Sequence, residues 1–269
     1  MHRIEHLYES DGIGVVDFVC GARGTDAPAT ERARAWEVVF VRSGAFRLTA
    51  GGFDALATPN EAIVVPPGTG YAISHPAGGG DASTVLILSE ERWEETGFGR
   101  SRERRPVRFR ATPRASVAQR RVLGAARARV SCTPLLEEEI AAAFESLQPR
   151  PQSTAAAPLS RRIARVQEMI TSRFSERLRL GELAREAGMS KFHLARSFRA
   201  TVGDSIHAYA IRLRLRAALD RLGQGERDLA ALALDLGFAD HSHFTRAFRR
   251  EFGVPPSRHD AATKAVYRV

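Results

Sequence analysis

The chain has 269 residues, 43% of them hydrophobic, with a formal net charge of +9, long enough for two domains that each bury a core. Its two cysteines, Cys20 and Cys132, stand far apart and outside any CxxC or Cys/His grouping, which excludes a disulfide scaffold and a structural zinc and fits a reducing cytoplasm. No apolar run approaches the roughly 20 residues that span a bilayer, and the start MHRIEHLYESDG lacks the apolar core of a signal peptide, so the expectation is a cytoplasmic protein without a membrane partner.

Residues 13–90 read as strands. The runs 14–20, 37–42, 45–50, 62–65, 71–74 and 84–88 are short, rich in Val, Ile and Phe, and separated by Gly, Pro, Asn and Asp. Many short strands at close spacing predict a small barrel or jelly roll. Residues 96–130 then hold 11 basic and 1 acidic side chains, between a segment 1–95 with 7 and 14 and a segment 131–160 with 1 and 4. The basic stretch Arg100 to Arg129 is read first as a solvated connector with Arg-rich helix faces, and second as a contact for DNA or an acidic partner. Helical periodicity follows at 115–130 and at 134–147, where Leu136, Ile140, Phe144 and Leu147 share one stripe. This pair can cover the barrel or a second subunit. Pro149 to Pro158 has little to bury and reads as a linker. The expected domains are therefore 1–148, a linker 149–159, and 160–269.

From Ser160 the pattern is helical. Ser160 is expected to cap a helix with Ile163, Val166, Ile170 and Phe174 inward, and a central helix over 205–222 carries Ile211, Leu215, Ala218 and Leu222 inward. Residues 161–269 hold 21 Lys and Arg against 12 Asp and Glu, while the first 160 residues hold 19 of each, so this part carries the whole positive excess. A basic helical domain suits a polyanion, because each phosphate contact releases condensed counterions.

One unit is written twice here. Leu180, Leu183, Ala184 and Gly188 recur 49 positions later as Leu229, Leu232, Ala233 and Gly237, whereas Leu194, Arg196, Phe198, Arg199 and Gly203 recur 50 positions later as Phe244, Arg246, Phe248, Arg249 and Gly253. One residue has been added in the turn. Each unit, 178–203 and 226–253, reads as a short helix, a Gly-bearing break and a second helix with an inward stripe at i, i+4, i+8. That is the helix-turn-helix pattern, whose second helix enters a DNA major groove. The central helix spans about 27 Å at 1.5 Å per residue, comparable with the roughly 34 Å of one duplex turn. Both second helices can then bind one side of the duplex.

With Ala233, Gly237, Phe238, Ser242, Phe244, Arg246, Phe248, Phe252, Gly253 and Pro256 in register and the upstream copy matching as well, residues 160–258 resemble the AraC/XylS transcriptional regulators. The front part resembles the cupin-like sensing domains of that family, through Glu61 to Gly68, Tyr71, Ser74-His75-Pro76 and Gly79-Gly80-Asp81. It departs from metal-binding cupins, because paired histidines are missing near 44–52 and Tyr71 stands where the second motif places a histidine. The expected fold is a two-domain α+β chain, a cupin-like β-barrel with a helical pair followed by an all-α domain with two helix-turn-helix units.

Ser190 is expected to cap the first recognition helix. The resemblance implies that Phe192, Ala195 and Arg196 approach base edges, and the arginine suits a bidentate contact with guanine. In the second unit Asp240 caps while His241, Ser242, Thr245 and Arg246 face out as base readers. Ser190, Lys191, His193, Arg199, His243, Arg249 and Arg250 are assigned to phosphates, which set register without reading sequence. Phe198, Phe248, Phe252 and Tyr209 are expected in the core. In the barrel Trp36, Glu37, Phe40, Tyr71, His75 and Asp81 are the candidates for an effector pocket, with plain core as the alternative for Trp36 and Phe40. The reading is a DNA-binding regulator and not an enzyme, with no metal or cofactor. Its partners are double-stranded DNA and a small-molecule effector, with RNA polymerase and a second copy left open. Two rivals stand beside it, a cupin-type enzyme fused to a DNA-binding tail and an architectural protein that binds DNA without sequence preference.

Overall fold

The computed structural model describes residues 2–21, 29–75, 78–98, 105–128, 133–149 and 157–259. Most of the expected linker, residues 150–156, and Cys132 lie outside the described residues. Contacts divide the chain near residue 150 into two compact units, the second being Pro151–Ser257.

The first unit contains two antiparallel sheets. The larger runs β1 (His2–Ser10), β2 (Ile13–Cys20), β9 (Asp81–Leu88), β4 (Trp36–Gly44), β7 (Glu61–Val65), β10 (Val107–Ala111) and β11 (Leu147–Pro149); the smaller runs β3 (Ala29–Arg32), β8 (Gly70–Ser74), β5 (Phe46–Ala50) and β6 (Phe53–Ala57). Successive side chains of a strand point to opposite faces, and here both faces of the larger sheet are covered. On β4, Trp36, Val38 and Phe40 join Ala62 and Val64 of β7 in a core shared with three helices, α1 (Glu90–Glu95), α2 (Pro113–Arg127) and α3 (Thr133–Glu145). Val39 and Val41, with Ile63 and Val65, face the smaller sheet instead. That double coverage explains why β7 is buried at every position and reads as a continuous apolar run.

The six expected strands correspond to β2, β4, β5, β7, β8 and β9. The other five were not expected, and three of them show why. β1 is a polar edge strand, exposed over most of its length and held by backbone pairing to β2. β11 is short, exposed at Gln148 and Pro149, and pairs only with β10. β10 corrects the view of the basic stretch as a connector: Phe109 and Ala111 point inward between Arg108 and Arg110, and the strand sits between β7 and β11. The helical pair appears as α2, capped by Thr112 with Pro113 at its first position, and α3, whose Leu136, Ile140 and Phe144 are buried against the unit's own sheet.

The second unit is all helix: α4 (Ala157–Ser172), α5 (Leu180–Glu186), α6 (Lys191–Val202), α7 (Ile206–Gly223), α8 (Leu229–Asp235) and α9 (His241–Phe252). Ser160 is not the cap of α4. The helix starts at Ala157, because Pro158 is tolerated in a first turn, where its missing N–H has no partner to lose. Ile163, Val166 and Ile170 are fully buried and join Leu183, Leu194, Phe198 and Tyr209 in one core. The central helix is capped by Ser205, whose Oγ accepts from the Ala208 N–H at 3.1 Å. Among the described residues no helix is long and apolar enough to cross a membrane.

Candidate nucleic-acid interface

Helices α6 and α9 are built alike. Ser190 Oγ accepts the His193 N–H at 3.2 Å, and Asp240 Oδ1 accepts the His243 N–H at 2.7 Å, so each side chain satisfies a donor that the first turn leaves open. Each helix ends on a left-handed glycine, Gly203 and Gly253, both at φ 80°. Leu194, Phe198 and Val202 are buried on α6, and Phe244, Ala247 and Phe248 on α9. Phe252, expected in the core, is only half-buried, its ring 4.6 Å from that of Phe248. The turns occupy residues 187–190 and 236–240, so the added residue falls after the left-handed glycines Gly188 and Gly237.

With those stripes inward, the opposite faces are open. On α6, Phe192 is 78% exposed, and His193, Ala195, Arg196 and Arg199 are exposed with it; on α9 the exposed set is His241, Ser242, Arg246, Arg249 and Arg250. Thr245 and His243 are half-buried, the first 3.4 Å from His241 Nε2 and the second edge-on to Phe238. The aliphatic stem of exposed Lys191 lies over Gly181.

Among the described residues, none of Lys191, Arg196, Arg199, Arg246, Arg249 and Arg250 has a carboxylate partner. Elsewhere in the unit Arg173 pairs with Glu176 and Glu182 at 2.8 and 2.7 Å, and Arg221 with Glu226 and Asp235 at 2.9 and 2.8 Å. Helix α6 carries no acidic residue at all. The acid of α9, Glu251, turns to Arg212 and Arg216 at 3.6 and 3.4 Å. Unpaired cations on two capped helices form a surface that gains energy from phosphate.

Sequence reasoning missed the residue that ties the two helix-turn-helix repeats together. Arg214, on α7, donates through Nε to the Phe174 carbonyl at 2.7 Å, through Nη2 to the Glu176 carbonyl at 3.0 Å, and through Nη1 to the Gly237 carbonyl. It therefore fastens the segment leading into α5 to the turn between α8 and α9. Burial presses its guanidinium below the ordinary arginine value. Backbone meets backbone at the same place: a Cβ on Gly237 would stand 2.0 Å from the Ser175 carbonyl oxygen, so only glycine fits. In the sequence Arg214 is one of three alternating arginines, Arg212, Arg214 and Arg216, and nothing local distinguishes it.

Comparison with known proteins agrees with this geometry. A helix-turn-helix domain model matches residues 183–261. The regulatory protein SoxS of Salmonella typhimurium is 34% identical over 90 residues, 34% of this chain and 84% of SoxS. The chain belongs to the AraC family of transcriptional regulators. The HTH-type transcriptional regulator ExsA of Pseudomonas aeruginosa is 26% identical over 129 residues, 48% of this chain and 46% of ExsA. The solved structure of ToxT from Vibrio cholerae aligns with 93% of this chain and 98% of its own at 10% identity and a TM-score of 0.37.

In the first unit of this AraC-family regulator the barrel candidates separate. Glu37, Tyr71 and Asp81 line a cavity of about 60 Å³ between the two sheets. Trp36 and Phe40 lie elsewhere: one strand step moves a side chain to the other face, and both sit in the core under the helices, Trp36 with its ring 4.2 Å from that of Trp93. His75 bonds through Nε2 to Asp81 at 2.8 Å. Cys20, isolated in sequence, comes within 4.8 Å of the same His and Asp donor atoms. Both His75 and Ser83 bond to Asp81.

Proposed function

We propose that this AraC-family protein is a sequence-specific regulator that reads two successive major-groove segments with α6 and α9. Phe192, Ala195 and Arg196 meet bases in one segment, and His241, Ser242, Thr245 and Arg246 in the next. Ser190, Lys191, His193, Arg199, His243, Arg249 and Arg250 hold the flanking phosphates. The observation that carries this reading is the absence of carboxylate partners for the outward cations of both helices among the described residues, beside arginines that are paired. Base specificity comes from bidentate donors in the groove, whereas phosphates supply affinity and its salt dependence.

The cavity between the sheets is the effector site in this reading, and the protein acts in the cytoplasm as a regulator without catalysis. Coupling requires an effector that binds two arrangements of the protein with different affinity. The helical pair α2 and α3 offers a surface for a second copy, and RNA polymerase is the downstream partner. Footprinting of the purified chain on its own upstream region tests the core of the proposal. Protection of two segments about one helical turn apart, with at least tenfold preference over random fragments, is the expected result. Equal, salt-sensitive binding to every fragment would replace it with architectural DNA binding.

A further inference from the structure

The cavity of the first unit has apolar walls and an acidic lining. Phe18, Val39, Phe46, Leu48, Val65 and Val85 come from both sheets, and the polar groups between them are Glu31, Glu37, Tyr71, Asp81 and Ser83. Among the described residues three carboxylates line it, and no Lys, Arg or His does. At one end the Tyr71 hydroxyl lies 3.0 Å from Glu31 Oε2 and 2.9 Å from Glu37 Oε2. A phenol has one proton and cannot donate to both. Exposed Glu31 and half-buried Glu37 therefore face the cavity with one donor between them and, among the described residues, no cation. Burial pushes the Glu37 carboxyl above the usual carboxylate range; the Tyr71 hydrogen bond opposes that and the Glu31 charge adds to it. Asp81 is in a different state, since His75 and Ser83 already bond to it.

We propose that this cavity takes a small organic cation, a primary ammonium group donating to Glu31, Glu37 and Tyr71 with a short apolar body between the sheets. An ammonium presents three donors, and three oxygens converge here. Its charge offsets the repulsion between the two carboxylates, and its carbon stem replaces water against Phe and Val side chains. About 60 Å³ accommodates a body of roughly four to six non-hydrogen atoms, given about 10 to 15 Å³ of such space for one water. The proposal rests on the reading of this cavity as the effector site, and it adds the sign of the ligand.

The test compares n-butylamine, as butylammonium, with butyrate of similar size, at matched ionic strength and pH 7, on the full chain by calorimetry and thermal melting. Butylammonium is expected to bind and raise the melting temperature, butyrate to do neither, and the double variant Glu31→Gln with Glu37→Gln to lose at least tenfold in amine affinity. Should that variant fail to fold, Tyr71→Phe removes one of the three acceptors and is expected to cost threefold or more. Butyrate binding as well as the amine, neither binding, or amine affinity indifferent to these variants would overturn the proposal. A footprint on promoter DNA separates it from the reading beneath it. Amine binding that leaves occupancy unchanged would remove effector control while keeping the cation site. Butyrate binding that changes occupancy would do the reverse.

Discussion

The first 160 residues and the remaining 109 hold similar numbers of basic side chains, 19 and 21, yet treat them in opposite ways. In the first, the acidic, basic and acidic segments that alternate along the chain meet in space. Arg127 of α2 reaches Asp17 of β2 at 2.6 Å, Arg121 reaches Glu139 of α3 at 3.1 Å, and Arg92 of α1 reaches Glu137 at 3.0 Å. In the second, Arg173, Arg212, Arg216 and Arg221 have carboxylate partners, and among the described residues the outward arginines of α6 and α9 do not. A run of charge along the sequence thus says little about a partner. The proposed polyanion-binding face rests instead on cations that, among the described residues, have no carboxylate while neighbours such as Arg173 and Arg221 do.

Asp17 is the pairing on which the first unit depends most, fully buried between Arg42, itself 5% exposed, and Arg127. Asp17→Asn leaves Arg42 buried beside a neutral amide, and losing one partner of a buried pair costs about 3 to 5 kcal/mol. Urea unfolding should show that loss, with DNA affinity of the remaining folded protein unchanged. A change below about 1 kcal/mol would mean that the first unit does not depend on its internal pairing.

Next in size are the outward arginines. Arg196→Ala and Arg246→Ala should each cost about 1 to 3 kcal/mol on the preferred site and relax one base position, while Arg249→Ala weakens all sequences alike and lowers the salt slope by about one. Anisotropy titrations at several salt concentrations, on preferred and random duplexes, separate the two behaviours. Uniform losses for Arg196→Ala would move it to the phosphate class.

Arg214→Lys acts from behind α6 and α9. A lysine keeps the charge but cannot reach three carbonyls at once, so the tie between the α4–α5 segment and the second turn loosens while each helix-turn-helix retains its own core. Binding to a two-segment site should fall by about 1 to 2 kcal/mol, on the scale of a hydrogen bond to a charged group. The penalty for inserting one base pair between the segments should shrink in the variant. A merely destabilised domain would lose affinity without changing that spacing preference, and circular dichroism shows whether the fold is intact.

The legible parts of this molecule are those written in local pattern. The duplicated stripes Leu194, Phe198, Val202 and Phe244, Phe248, Phe252, with caps Ser190 and Asp240 and glycines at fixed offsets, announce α6 and α9 because periodicity and capping are local. What stayed hidden depends on distant neighbours. β1 has no apolar alternation and exists through its pairing with β2. Trp36 and Glu37 are adjacent, and only the strand's placement between helices and a second sheet decides which of them faces the cavity. Arg214 acts through carbonyls 38 to 40 residues upstream and 23 downstream. The sequence has no local mark for a backbone acceptor that arrives from elsewhere.

The smallest expected effect is also the most discriminating for the basic stretch. Arg121 lies in the segment with 11 basic side chains and 1 acidic, and its charge alone would nominate it for DNA. Its side chain is 29% exposed, and the guanidinium faces Glu139, whose side chain is 13% exposed, at 3.1 Å. A partly exposed pair of this kind contributes about 1 kcal/mol or less, and a neutralised cation releases no counterion from DNA. Arg121→Ala should therefore lower stability by at most about 1 kcal/mol and leave both affinity and salt slope on promoter DNA where they were. A drop of about one in that slope would show that α2 touches phosphate, and the contrast between the two units would then be one of degree.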